Sequence, residues 1–461
     1  MNQLENALGS LFYIGQSYLS PFLETFHDLY KNYHMELGKY LTSFLRIYIN
    51  TNLELDNMKG SNLTNYEKRI FVHEYTHFLQ NITGAFGHLH AWNIYDRLRQ
   101  HILEIQKSKS KQIDLPLDGK VADEQQAYLR IRRKMEGSYK VKNGMDDENT
   151  RIVKLALKKD ADYVLLYPEH KPLHYLVLEL QDKQGASMEY IFGEAAVSEA
   201  MALLMETKYF DTDPAANYPY HVCRILGKYI RTNLFENDEF LFALCDVSLL
   251  SSSPGVSFYR ILLDLHQRNF KPASAEELFD YGLNFMNTDW RIFEDYKKSM
   301  EGICHVIQTL MDNAVFKETV DWVTYLFKTG YQCRIANRYF MLELYREPIV
   351  FEGLWNNVIA QFGNPELHNN KPIRAFIAPL ALKKIEEKIE PILLMALHEV
   401  HETLFKRKTE CGLVEFCKHA TNGLIVDKRC LTMPWKRATD EKLCAYGALW
   451  AGFGINDRNV V

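Results

Sequence analysis

No window of about 18 uninterrupted apolar residues occurs in the 461-residue sequence, so no membrane-spanning helix and no membrane partner are expected. The opening stretch, MNQLENALGSLFYIGQSYLSPFL, lacks a basic segment followed by an unbroken apolar one, and reads as no signal peptide. A basic excess is also missing. With a net charge of −5, nothing draws the chain non-specifically onto nucleic acid. No fixed-period repeat and no low-complexity tract is present, which argues against solenoids and disordered arrays. The eight cysteines include no C-x2–4-C pair of the kind structural zinc sites favour. Without an export signal they read as reduced thiols of a cytoplasmic protein, not as a disulfide framework.

What is present is ordinary for a globular chain. Hydrophobic residues make up 47% and aromatics 13%, enough for a substantial core and against disorder. The length suits two or three domains, or one large elaborated one. The pattern is mixed but mainly helical. FLRIYINTNLEL (44–55) places Ile47 and Ile49 between polar neighbours, which suits a half-buried strand. MKGSNLTNYEKRIF reads as a turn and a helix start, with Thr64 as N-cap and Glu67 completing a capping box. Gly84 and Gly87 are expected to break or end that helix. Residues 106–160 are the most charged, and read as a surface insertion of helices and loops. HYLVLELQDKQGASMEYIFG reads as a hairpin turning at Gly185, leading into the helical GEAAVSEAMALLMETKYF. From about 220 onward helix dominates, including a long helical region over KPIRAFIAPLALKKIEEKIEPILLMALHEVHETLFKRK, interrupted by Pro379 and Pro391.

The chemistry concentrates in FVHEYTHFLQ (71–80), where His73, Glu74 and His77 stand in the order H-E-x-x-H. On a helix, positions i and i+4 are about 40° apart, so both imidazoles face one point. Two neutral imidazoles suit Zn2+, and the adjacent Glu74 reaches a zinc-bound water without being a ligand. HEYTH resembles the zincin metallopeptidases. The longer H-E-x-x-H-x-x-G-x-x-H pattern is not met, because Gln80 stands where Gly is wanted and Thr83 where His is wanted. The resemblance is therefore to the gluzincin type, which implies a third ligand from a glutamate on a later helix. SEAMALLME is similar to the glutamate helix of that type, with Glu199 in the ligand place, Ala202 at the small position and Ala200 where Gly is frequent. Glu194 is the alternative ligand, although an acid at a helix start is explained by capping and the dipole alone. Glu206 shares a face with Glu199 and is placed to accept a hydrogen bond from the outer N–H of His73 or His77. In NYPYHVCRILGKYI, Tyr218, Tyr220 and His221 are candidates to stabilise an oxyanion, with Tyr220 and His221 carried forward as catalytic.

Other clusters read as structural. His398 and His401 lie on one face of ALHEVHETLF but lack i+4 spacing, and a packed or solvated helix face is expected. Cys411, Cys417, His419, Cys430 and Cys444 do not match a zinc spacing, and buried thiols are expected there. His88 and His90 do not share a helix face. The expected protein is a helix-dominated α+β chain. It has a zincin-like region over 1–330, with the 106–160 insertion, and a helical region over 331–461. The resemblance implies a zinc-dependent endopeptidase acting on a specific protein or peptide substrate. Such a substrate would add as a strand at a sheet edge supplied by 44–55 or by the 174–193 hairpin. The insertion or the C-terminal helices are expected to gate access or to dock a regulatory partner. The rival readings are a zinc-containing interaction or regulatory protein without catalysis, and a helical scaffold in which the motif is accidental.

Overall fold

A computed structural model describes residues 38–51, 64–117, 122–141, 150–166, 169, 172–211, 215–230, 233–287, 292–369, 374–421 and 423–461. The opening stretch, the turn over 58–63 and the end of the 44–55 reading lie outside them. In chain order the first elements are β1 (Gly38–Leu41), β2 (Arg46–Ile49), α1 (Asn65–Thr83), α2 (Ala85–Lys107) and α3 (Ala122–Glu136). β3 (Arg151–Lys159), β4 (His174–Gln181), β5 (Ser187–Phe192) and α4 (Glu194–Tyr209) follow. A mainly helical stretch comes next: α5 (Val222–Ile230), α6 (Asp238–Ser248), α7 (Pro254–Gln267), α8 (Ala275–Asn287), α9 (Ile292–Leu310) and α10 (Lys317–Ala336). After two shorter helices come β6 (Asn364–His368), β7 (Arg374–Ile377) and α11 (Ile392–Lys406). The fold is helix-dominated α+β with small sheets.

The capping box at the start of α1 forms as its spacing predicts. Glu67 N–H reaches Thr64 Oγ1 at 3.4 Å, and Thr64 N–H donates to Glu67 Oε2 at 2.9 Å. Thr51 Oγ1 also donates to Glu67 Oε1 at 2.8 Å, tying the end of the β1–β2 hairpin to the helix. The helix ends at Gly84. Gly87 does not interrupt the chain; it sits in the first turn of α2. At the other end of α1, Arg334 of α10 donates from Nε to Thr83 O at 3.3 Å and forms a buried pair with Asp246 of α6, Nη1 to Oδ2 at 2.9 Å. The helix carrying the motif is thus fixed at both ends, and most of its residues are buried.

One four-stranded sheet has the order β1-β2-β6-β7. Strand β2 is interior, antiparallel to β1 and parallel to β6, with Arg46 opposite Glu366 and Ile47 opposite Leu367. The alternation read over 44–55 is real, since Ile47 and Ile49 are fully buried, but among the described residues of that stretch the strand is β2, and the edge beside α1 is β1. A second sheet has the antiparallel order β3-β4-β5. Its hairpin turn sits at Gly185 as read.

Two expectations about elements are corrected. The 106–160 region is not only helices and loops: near its end Arg151–Lys159 form β3, paired along β4 from Arg151–Gln181 to Lys159–His174. Its sequence, RIVKLALKK, has largely exposed alternate positions because it is an edge strand, which hid the pattern. The long helical region before residue 409 divides into β7, a 3-10 segment over Leu380–Lys388 and α11, because Pro379 and Pro391 each end what precedes them. The 330/331 division falls inside α10, and the β2–β6 pairing joins sequence from both sides of it.

A junction of backbones without side chains then sets the start of α4. Gly137, at φ +84°, ends α3 against Gly193; a Cβ there would lie 2.6 Å from Gly193 N. A Cβ on Gly193 would in turn lie 2.6 Å from the Glu136 carbonyl. Ser138 N–H adds a 2.8 Å bond to Ile191 O of β5. The charged segment is therefore locked directly to the first turn of the glutamate-bearing helix.

Candidate metal centre

Helix periodicity brings His73 and His77 to one face of α1, with ring centroids 5.0 Å apart. Helix α4 packs against α1 and presents Glu199 to that face. Glu199 Oε2 lies 3.2 Å from His73 Nε2 and 3.4 Å from His77 Nε2. Ligand atoms of the three residues all lie within 4.8 Å of one another, and together they could hold a metal ion.

The outer nitrogens decide whether the imidazoles suit a cation. His73 Nδ1 is 2.8 Å from Glu206 Oε2, and Glu206 Oε1 is 3.0 Å from Arg69 Nε. His77 Nδ1 is 2.8 Å from Gln80 Oε1, and Gln80 Nε2 donates to Ser198 O at 3.1 Å. A carboxylate and an amide oxygen can only accept, so each Nδ1 is assigned a proton, which leaves Nε2, the nitrogen turned toward Glu199, as the one whose proton a cation would replace. This is the arrangement a metal ligand needs, and the donor set fits the group.

The electrostatics agree with the grouping. Burial opposes the charge on Glu199, but His77 and His73 more than offset it and hold its carboxyl well below the usual carboxylate range. Burial would depress His73, yet its contacts with Glu199 and Glu206 push it well above the ordinary imidazole value. His77 is raised for the same reason, chiefly by Glu199. Glu74 is pushed up to about 7 by burial, against the pull of His73 and His77. Its carboxylate also accepts the Tyr40 N–H of β1, and a Cβ on Gly38 would lie 2.8 Å from its Oε1, so β1 passes directly beside it.

Of the two glutamates left open by the sequence, Glu199 meets the histidines. Glu194 sits at the helix start, is bonded to Ser198 and is raised to about 7 mainly by burial. Tyr220 lies beside His73, with ring centroids 6.1 Å apart, and His221 follows on the same turn, half-buried. Tyr218 instead packs in the core against Tyr190 at 5.1 Å. His398 and His401 instead lie against Phe44, edge-on at 4.7 Å and tilted at 6.2 Å between ring centroids. His88 is buried with Nε2 2.7 Å from Ile82 O, and His90 Nε2 lies 3.0 Å from Glu136 Oε1.

Four contributors escape a reading of the motif alone. Gln80 and Arg69 were legible as the i+3 neighbour of His77 and the i−4 neighbour of His73. Tyr40 and Tyr139 had no such signal. Tyr139 is 51% exposed, yet burial of its hydroxyl and the nearby Glu194, Glu136 and Glu199 raise it well above the ordinary phenol value. No known protein family, curated protein or solved structure matches the chain.

Proposed function

We propose that the protein is a zinc-dependent endopeptidase with a zincin-like core. The observation that carries this is the convergence of His73, His77 and Glu199 beside Glu74, with both outer imidazole nitrogens already bonded to acceptors. Two imidazoles and a carboxylate are a donor set for Zn2+ that leaves a fourth position open. When bound there, zinc acidifies a water and polarises a carbonyl. Glu74 takes up the proton as general base, and the Tyr40 N–H and the side-chain-free Gly38 fix where its carboxylate points. Tyr220 stands beside His73 with His221 next to it on the same turn, and Tyr139 lies within electrostatic reach of Glu194 and Glu199. Each brings a donor toward the developing oxyanion. Glu206 and Gln80 hold the imidazoles in orientation.

The substrate of this reading is an extended segment of a specific protein. Among the described residues β1 pairs only with β2, and β5 is flanked on its outer side by Ser138. An added strand at β1 passes next to Glu74.

Zinc content and cleavage of an unfolded casein-type substrate test the proposal together. Glu74→Gln is expected to keep its zinc and lose about 100-fold or more in kcat. Glu199→Ala is expected to lose an equivalent of zinc that Glu194→Ala retains. A wild-type protein that holds zinc at these residues and cleaves nothing would favour a zinc-containing interaction or regulatory protein instead.

A further inference from the structure

The tip of the β1–β2 hairpin carries a group of side chains that the metal centre does not use. Ser43 Oγ lies 2.8 Å from Nδ1 of His90 on α2. His90 Nε2 lies 3.0 Å from Oε1 of Glu136 at the end of α3. A hydroxyl, an imidazole and a carboxylate in this order form a nucleophile, its base and the group that orients the base. Burial and Arg132 hold the His90 imidazole below its ordinary value, so at neutral pH it is an uncharged base.

Ser43 is fully buried, which leaves its hydroxyl no room for an outside substrate. The carbonyl within its reach is that of its own chain. Leu41 O accepts the N–H of Phe44 at 3.2 Å, so residues 41–44 form a tight turn with Ser43 at the third position. Ser43 has φ +72° there, a left-handed value that turns ordinarily give to glycine. With a side chain present, that rotation crowds Cβ against the carbonyl oxygen of the preceding residue, Thr42. Two residues on, Leu45 is left-handed as well, at φ +49°. The tip has no freedom to relax, because the Tyr95 hydroxyl donates to Ser43 O and both Phe44 and Leu45 are buried in the core. Thr42 itself is exposed to water.

We propose that the Thr42–Ser43 peptide bond is a self-cleavage site. His90 Nδ1 takes the hydroxyl proton as Ser43 Oγ adds to the Thr42 carbonyl carbon. The carbon–nitrogen bond breaks, the proton passes to the Ser43 nitrogen, and an ester joins Thr42 to Ser43 Oγ. Breaking the amide frees φ of Ser43 and releases the crowding. One water hydrolyses the ester, leaving a Thr42 carboxylate, a Ser43 amine and the hydroxyl restored. The balance is the hydrolysis of one peptide bond, with no oxidant, reductant or metal. His90 Nε2 faces two groups of opposite demand. Glu136 Oε1 accepts a proton from it and leaves Nδ1 bare for the Ser43 hydroxyl. Arg132, with Nη2 2.5 Å from the same nitrogen and Nε 2.5 Å from Glu136 Oε1, can only donate, and so favours the other tautomer and slows the step. After cleavage β1, which passes beside Glu74, stays in place only through its contacts with β2 and α1.

The test uses the full chain, purified and incubated at neutral pH with hydroxylamine, which captures the ester as a Thr42 hydroxamate. Intact-mass spectrometry is expected to show a product that begins at Ser43 and a released piece that ends in the hydroxamate. Ser43→Gly suits the left-handed φ, keeps the hairpin and is expected to abolish the cut. Ser43→Cys is expected to retain it, and Arg132→Gln to speed it. A His73→Ala/His77→Ala variant is expected to cut itself as the wild type does. A chain that stays whole in hydroxylamine, a cut that survives Ser43→Gly, or one that disappears in the His73→Ala/His77→Ala variant overturns the site. A chain that cuts itself and holds no zinc overturns only the peptidase reading.

Discussion

Glu206 and Gln80 never reach the place of the ion, yet each spends an oxygen on the far nitrogen of a ligand imidazole. Removing either frees a ring to turn and to change tautomer. Glu206→Ala and Gln80→Ala are each expected to weaken zinc binding by about 10–100-fold, read by competition with a chromogenic chelator. Unchanged affinity would mean that they serve packing alone. Motif and helix period place His73, Glu74 and His77 without help. They leave Glu194 and Glu199 unresolved, because those two positions are about 140° apart on a helix and only packing tells which side faces α1. Tyr139 could not be read at all, since a glycine contact between distant segments puts it there.

Glu136 gives a second residue-scale prediction. Burial opposes its charge, but Arg132 and His90 hold its carboxyl near 2, against an ordinary 4.5. The folded state therefore gains from its ionised form above pH 4.5 and loses that gain as pH falls from about 4.5 to about 2. The gain is at most about 3 kcal/mol. Glu136→Gln should flatten this part of the acid limb when urea midpoints are compared between pH 5 and about pH 3.

Among the elements, α1 was the most legible. Its N-cap, its first turn and its stop at Gly84 all follow from side chains within the segment. What fixes its far end was not legible, because the Arg334–Asp246 pair comes from α10 and α6. Both side chains are buried, so Asp246→Ala leaves a guanidinium without its counter-charge and is expected to cost about 3–5 kcal/mol. Denaturant unfolding measures this, and a cost below about 1 kcal/mol would mean that the carbonyls of Thr83 and Arg338 suffice to hold Arg334. The strands show the opposite case. β3 escaped because its apolar alternates Val153, Leu155 and Leu157 are set among lysines in the most charged part of the chain and stay partly exposed on an edge strand, and β7 because four residues are too few to show a period.

At the scale of the molecule, helix-dominated α+β was readable from pattern, while the way the two ends of the sequence meet was not. Sheet pairing between β2 and β6 leaves no local mark, since it depends on segments separated by most of the chain. A chain ending at Glu352 lacks both β6 and β7. It is expected to lose cooperative unfolding and to bind zinc weakly at His73, which near-UV circular dichroism and metal analysis would show. A fragment that kept a sharp transition and full affinity would mean that the β1–β2 hairpin and the helices suffice. Arg46 and His368, which touch across that seam, stand 322 positions apart. A ribosome therefore has to lay down more than three hundred further residues after the second strand before that strand can find its neighbour.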